Sequence, residues 1–135
     1  MKKWSFLSIL AIMSLFLAGC NGSSSQSAIG TLTQTNGDLT AELSFSPDPP
    51  GMMSAVEMTL TLTDSSGSPV EGAQVSYDLT MPAMRMPLNQ PEATGQGGGV
   101  YLTEATFTMG GEWQAAATVT VNGETVDFTF DFKVE

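Results

Sequence analysis

Apolar and polar residues alternate one by one through most of the chain after residue 38, and this period of two constrains the fold more than any other feature. Successive side chains of an extended strand point to opposite faces, so such alternation indicates half-buried β-strands. In the clearest run, 126–134, every second residue is Val or Phe, and Asp, Thr or Lys stands between them. Asn122-Gly123, just before that run, is the strongest short signal for a hairpin.

Further runs with the same period predict the remaining strands. They cover residues 39–45, 56–62, 75–79 and 113–121. The segment from Val100 to Phe107 is also typical of a strand, but its phase is ambiguous. Tyr101, Ala105 and Phe107 suit one face, whereas Val100 and Leu102 suit the other.

Turn-forming residues separate these runs, and no window has a helical period. The turn segments are 46–51, 64–69 and 95–99, each rich in Pro, Gly, Ser or Asp. Six or seven short strands with breaks every 8–12 residues predict an all-β fold, an antiparallel immunoglobulin-like β-sandwich of about seven strands. A small closed barrel is the alternative, because the cysteine pair of antibody domains is absent.

The N-terminus has the layout of a secretory signal peptide. Lys2 and Lys3 precede an apolar run that ends at Ala18-Gly19, and Cys20, the only cysteine, follows. This layout resembles the bacterial lipobox, in which the cysteine receives a diacylglycerol. We therefore expect a signal peptide over 1–19, lipidated Cys20 and a Ser-rich flexible tether over 20–37, and a folded domain over 38–135. The lipid would hold the domain on the extracytoplasmic face of the cell membrane; an incidental thiol in a plain signal peptide is the alternative.

The composition of the mature chain excludes several classes of function. All 14 acidic residues lie after Cys20 but only two basic residues do, Arg85 and Lys133, which gives a net charge of −12. Such a chain repels phosphate backbones, so nucleic acid is not an expected partner. The chain has no histidine, and lipidation would consume its single thiol, so the common general base and thiol nucleophile are absent. We expect a protein that is not an enzyme.

The segment Met81-Pro82-Ala83-Met84-Arg85-Met86-Pro87 is the one unusual local feature. Its prolines exclude it from a helix and from a central strand, and in an extended chain Met84 and Met86 point to the same side. Met109, on a strand expected to return beside this loop, is a fourth candidate. Thioethers are soft neutral ligands, so converging methionines predict a Cu(I) site that Trp113 could shield. The alternative is packing, since methionine fills irregular gaps, as Met58 is expected to do, with Met52 and Met53 in a capping loop.

Four sequence elements together resemble the YtkA-like domain, which is similar to the periplasmic part of FixH-type proteins. They are Pro69-Val70-Glu71-Gly72-Ala73, Met81-Pro82-Ala83-Met84, Gly99-Val100-Tyr101 and Phe107-Thr108-Met109-Gly110-Gly111-Glu112-Trp113. The resemblance covers about Leu39 to Val134.

The resemblance implies an immunoglobulin-like sandwich and a role in copper or cation handling beside a membrane copper transporter or an oxidase-assembly protein. It carries the ligand role onto Met81, Met84, Met86 and Met109. Many relatives have a histidine in this region and this chain has none, which favours a weaker Cu(I) site over tight Cu(II) binding. The alternative function is a metal-free, membrane-anchored interaction module that assists the same kind of complex.

Overall fold

The computed structural model describes residues 27–135, and these fold into eight antiparallel strands. The strands are β1 (Leu32–Asn36), β2 (Leu39–Ser46), β3 (Ala55–Asp64), β4 (Gln74–Thr80), β5 (Glu92–Gly97), β6 (Val100–Thr106), β7 (Gly111–Val121) and β8 (Glu124–Val134). The predicted signal peptide and Cys20 lie outside the described residues. Within 27–135 there is no helix long and apolar enough to cross a membrane.

The strands hydrogen-bond in one continuous order, β1-β2-β3-β6-β5-β4-β7-β8. The short strand β5 makes this continuity possible, because its first half pairs with β4 through Glu92 and Ala93 and its second half pairs with β6. The two edge strands, β1 and β8, lie side by side without a ladder, and the Asn36 side-chain amide donates to the Asp127 carbonyl oxygen across the seam, at 2.9 Å. The result is a nearly closed, barrel-like sheet.

The predicted all-β antiparallel class is confirmed, but the immunoglobulin-like sandwich of about seven strands is not. The chain forms eight strands, and β5 joins what would be two sheets into one. Two strands were not among the predicted runs. β5 overlaps the predicted turn segment 95–99, and β1 lies in the segment that we expected to be a tether. The sequence of β1 alternates weakly, with Leu32 as its one large apolar residue, so its extended form depends on pairing with β2 from Leu32↔Leu43 to Asn36↔Leu39.

The core fills the space inside the sheet, and the alternation of the sequence places it there. The buried apolar side chains include Leu43, Val56, Met58, Leu60, Leu62, Leu79, Phe107, Trp113, Val119, Phe130 and Val134. The phase of β6 is now resolved, with Tyr101, Thr103, Ala105 and Phe107 facing inward. Thr103 made the pattern ambiguous because it is polar; when buried, its hydroxyl donates to the Glu92 carbonyl oxygen.

Strand direction divides the loops between two ends of the sheet. The loops 47–54, 81–91 and 107–110, together with residues 27–31 and the C-terminal Glu135, lie at what we call the methionine end. The connections 37–38, 65–73, 98–99 and 122–123 lie at the opposite, hairpin end. At the hairpin end Asn122 and Gly123 both have positive φ, 54° and 80°, which confirms the predicted tight hairpin between β7 and β8.

A methionine cluster at one end of the sheet

The exposed large apolar side chains of the described chain are concentrated at the methionine end. They are Met52 (49% exposed), Met53 (75%), Met84 (45%), Leu88 (83%) and Met109 (43%). They come from three different loops, so the fold and not the local sequence brings them to one end. Beneath them lies an aromatic group in which the ring of Phe107 is 4.9 Å from that of Trp113 and 5.5 Å from that of Phe132, measured between centroids.

Loop 47–54 is fastened to its neighbours by backbone hydrogen bonds. The Met52 N–H donates to the Glu135 carbonyl oxygen at 3.0 Å, and the Met53 N–H donates to that of Phe107 at 2.8 Å. Met53 has a φ of +54°, in the left-handed region that a residue with a side chain adopts at a free-energy cost. The fold therefore holds an apolar side chain in water on a strained backbone, a combination that stability alone does not explain.

Loop 81–91 starts with a turn at Pro82 and Ala83. The Met84 N–H donates to the Met81 carbonyl oxygen at 3.1 Å, which closes the turn over Pro82. Met81 is buried in the core, Met84 is exposed, and Met86 is half-buried against the core. Met84 and Met86 therefore differ in exposure, and a shared ligand role for them stays a prediction. Met84 is therefore the most exposed of the three methionines in this segment.

Loop 107–110 and the start of β7 contact the other two loops through Gly110 and Gly111. A Cβ atom placed on Gly110 would lie 3.3 Å from Sδ of Met52, and one placed on Gly111 would lie 3.2 Å from Cε of Met81. Met109 precedes these glycines directly. Met52 and Met81 thus approach Gly110 and Gly111, the two residues after Met109, because glycine leaves room for their side chains.

Trp113 lies in the core directly below this cluster. Its side chain is 1% exposed, and its indole N–H donates to the Met109 carbonyl oxygen at 2.9 Å. This bond fixes the backbone of Met109 relative to the core. The role of Trp113 as a shield for a bound ion stays a prediction.

The loops of the methionine end carry little charge. Loop 47–54 contains one acid, Asp48, and loop 81–91 contains one base, Arg85. Both carboxylate oxygens of Asp48 accept backbone N–H groups, from Ile29 at 2.7 Å and Gly30 at 2.8 Å. Nearby, the Lys133 ammonium is 2.7 Å from a carboxylate oxygen of Glu135, and this hydrogen bond raises the pKa of Lys133.

Sequence reasoning missed the contribution of loop 47–54 and of Leu88. Met52 and Met53 were interpreted as part of a capping loop, and Leu88 received no role. One signal was available, because antiparallel neighbours alternate in direction, so that every second connection lies at the same end of the sheet. The connections before β3, β5 and β7 follow this rule, and they are the three that contain Met52, Met84 and Met109.

The donor atoms at this end fit a soft metal ion and not a hard or borderline one. Within residues 27–135 no group of three or more His, Cys, Asp or Glu side chains is arranged to hold a metal. Thioether sulfur binds Cu(I) well and binds zinc, magnesium and calcium poorly. A groove elsewhere contains one carboxylate and no sulfur, and it is lined by Ala73, Gln74, Val75, Ser76, Glu92, Ala93, Thr118 and Thr120.

Comparison with known proteins identifies the family. The YtkA-like family profile matches residues 33–118, well over half of the chain. The chain belongs to the YtkA-like family. No curated protein matches it. A structure of a DUF4426 family protein from Pseudomonas aeruginosa PAO1 superposes with a TM-score of 0.55 at 17% identity, over 77% of this chain and 94% of the other, which supports the fold alone.

Proposed function

We propose that this YtkA-like protein is a non-catalytic, extracytoplasmic lipoprotein that binds Cu(I) through thioethers at the methionine end. The proposal is carried by the approach of Met52 and Met81 to the glycines after Met109, with Met84 and Met109 exposed at the same end. Met84 and Met109, both exposed, are the principal ligands in this scheme, and Met52 joins the four methionines named from sequence. Met81 and Met86 are more buried, so they support the site from below.

The chemistry of the site suits transfer of the ion better than storage. Methionine ligation is neutral and the exposed ligands remain accessible, so we expect modest affinity and ready exchange with a partner. The surrounding net charge of −12 raises the local concentration of cations without selecting copper. Thioethers do not titrate, so the affinity for Cu(I) should stay nearly constant from about pH 5 to about pH 8.

The proposed location follows from the sequence before the domain. Lipidation of Cys20, followed by removal of residues 1–19, would anchor the protein to the cell membrane, and two acyl chains suffice for stable attachment. A Cys20→Ala variant should then be lost from the membrane fraction. An unchanged membrane fraction would contradict anchoring through this residue.

Titration of residues 21–135 with Cu(I) against a competing chelator tests the metal site. We expect M84L/M109L to lose at least about tenfold in affinity, because leucine keeps the volume but has no donor atom. Met58→Leu, in the core, is the matched control and should bind like the wild type. Near-UV circular dichroism of Trp113 reports that each variant is folded. Equal competition by the wild type and M84L/M109L would refute the site.

A second candidate, favoured by the 83% exposure of Leu88, is a metal-free module that contacts a membrane copper transporter or an oxidase-assembly protein. Exposed methionine and leucine suit adaptable packing against a partner. Under this alternative, M84L/M109L should keep its activity in cells, whereas the copper site requires that activity to be lost. The same variant therefore separates the two functions.

A further inference from the structure

The start of the described chain lies at the same end of the sheet as the methionine loops. Leu32, the first residue of β1, pairs with Leu43 near the end of β2, and β2 leads directly into loop 47–54. Asp48 of that loop accepts the N–H groups of Ile29 and Gly30, which fastens the incoming chain to the loop. Any anchor that precedes Ile29 is therefore closest to the methionine end.

From this geometry we infer that the methionine end rests on the lipid bilayer, with Met53 and Leu88 as its contacts to the membrane. The inference rests on the lipid anchor of the proposed function, but not on copper binding. Met53 and Leu88 are the two most exposed large apolar side chains, 75% and 83%, and they stand on separate loops. The strained φ of Met53 shows that its position is imposed by the fold.

The length of the preceding chain limits how the domain can be oriented. Nine residues from Cys20 to Ile29 span at most about 32 Å. The 11-residue strand β8 has ten steps and is itself about 34 Å long, at about 3.4 Å per residue. The hairpin end can therefore approach the bilayer only if these nine residues run almost fully extended alongside the domain. The methionine end meets it without that constraint.

Charge favours the same orientation. The connections and strand ends of the hairpin end carry Asp38, Asp64, Glu71 and Glu124, so an anionic lipid surface repels that end. On the same count the methionine end carries four acids, Asp48, Glu92, Glu112 and Glu135, and two bases, Arg85 and Lys133. Its side chains therefore sum to −2 against −4 at the hairpin end, so an anionic surface repels it less. Met53 and Leu88 are exposed and apolar, which suits contact with lipid. A short tether raises the effective concentration of the domain at the membrane surface to roughly millimolar, so a weak contact with lipid is enough to hold the methionine end on the bilayer.

Chemical attachment through Cys20 tests the contact independently of lipidation in cells. Residues 20–135, which include all of the described fold, are coupled through the single cysteine to maleimide lipid in phosphatidylcholine nanodiscs that also contain a spin-labelled lipid. Methyl NMR of methionine then reports proximity to the bilayer. We expect the Met53 methyl signal to lose at least about half of its intensity, with smaller losses at Met84 and Met109 and little loss at buried Met58.

Two double variants decide whether the named side chains make the contact. M53S/L88S should restore the Met84 and Met109 signals, whereas M53L/L88M, which keeps both positions apolar, should retain the wild-type losses at these two methyls. The inference is overturned if the methionine methyl signals of the wild type are unchanged in nanodiscs, or if the Met84 and Met109 signals fall equally in the wild type and M53S/L88S. Unchanged wild-type signals would assign the surface to a protein partner. Cu(I) titration of M53S/L88S should match the wild type, so failure of docking is distinguishable from failure of the copper site.

Discussion

The two ends of the sheet differ in how their loops are built. At the hairpin end, three of the four connections have two residues, and positive φ at Gly37, Gly98, Gly99, Asn122 and Gly123 allows those tight turns. The longer connection, 65–73, is held by Tyr101, whose hydroxyl donates to the Val70 carbonyl oxygen and accepts the Ala73 N–H. At the methionine end, loops of eight and eleven residues expose apolar side chains instead.

The loop residues of the hairpin end serve the fold itself, whereas some loop residues of the methionine end are not needed for folding. Polar side chains, glycines and local hydrogen bonds at the hairpin end satisfy the backbone and expose little apolar surface. The methionine end is equally well fastened, through Glu135, Phe107 and Asp48, yet it leaves Met53 and Leu88 in water. Apolar exposure on a fastened backbone is therefore the best structural sign of where this protein meets a ligand or a partner.

Gly99→Ala should cause the largest loss of stability and show how little the hairpin end tolerates change. A Cβ atom there would lie 2.6 Å from the Leu62 carbonyl oxygen, and φ is +75°. We expect urea denaturation to show a loss of about 3 kcal/mol. Gly98→Ala, with a φ of +64° but open space around it, is the control and should lose about 1 kcal/mol. Equal losses would mean that the close approach at Gly99 is unimportant.

Asp48→Ala tests whether the methionine end is fastened to the incoming chain as the geometry indicates. Without the carboxylate, the N–H groups of Ile29 and Gly30 lose their acceptors. We expect a loss of about 1 kcal/mol in stability and faster hydrogen exchange at those two amides. Exchange at Asn122 and Gly123, at the other end, should be unchanged. Unaltered exchange at Ile29 and Gly30 would show that Asp48 does not hold this segment.

Met53→Gly tests whether the Met53 side chain lowers the stability of the fold while providing the contact with the bilayer. Glycine adopts a φ of +54° without the steric penalty that a side chain incurs, so the variant should gain up to about 1 kcal/mol in stability. It should also lose the bilayer contact, as judged by the recovery of the Met84 methyl signal in nanodiscs. Met53→Leu is the control and should change neither quantity appreciably. A destabilised Met53→Gly variant would show that the Met53 side chain contributes to folding.

Asp64→Asn should have the smallest effect, and its pH dependence identifies the cause. The Asp64 carboxylate accepts the Ser66 hydroxyl at 2.6 Å and the backbone N–H groups of Ser66 and Ser68. The hydrogen bond from the Ser66 side chain is the main cause that lowers the pKa of Asp64 below 3.8. The stabilisation is present above pH 3.8 and disappears as the pH falls through the lowered value.

Thermal melts of wild type and Asp64→Asn should therefore differ slightly at pH 7 and converge toward pH 2. A difference in melting temperature that persists at the lowest pH would exclude the ionised carboxylate as the cause. The two ends thus use a carboxylate differently. Asp64 holds its own loop at the hairpin end, whereas Asp48 holds the incoming chain at the methionine end.

The alternation of the sequence predicted most of the strands, because a period of two directly reflects which face of a strand is buried. The Asn122-Gly123 hairpin was predictable for an equally local reason, the positive φ that both residues accept. β1 was missed since pairing with β2, and not an apolar pattern, makes it a strand. The phase of β6 was ambiguous because polar Thr103 lies on the inward face. Its hydroxyl can be buried there since it donates to the Glu92 carbonyl oxygen, a contact that the sequence does not show.

The candidate site was only partly predictable. The proline-bounded methionines drew attention to loop 81–91. The sequence did not show that Met81 is buried and Met84 exposed, on either side of a turn closed by the Met84 N–H and the Met81 carbonyl oxygen. The sequence by itself determined an all-β chain and its supply of soft, neutral sulfur ligands, since both depend on residue type and local period. Only the tertiary structure decided that Met52 and Met81 approach the two glycines after Met109 and that the chain enters at the same end, because strand pairing between residues distant in sequence sets which loops share an end.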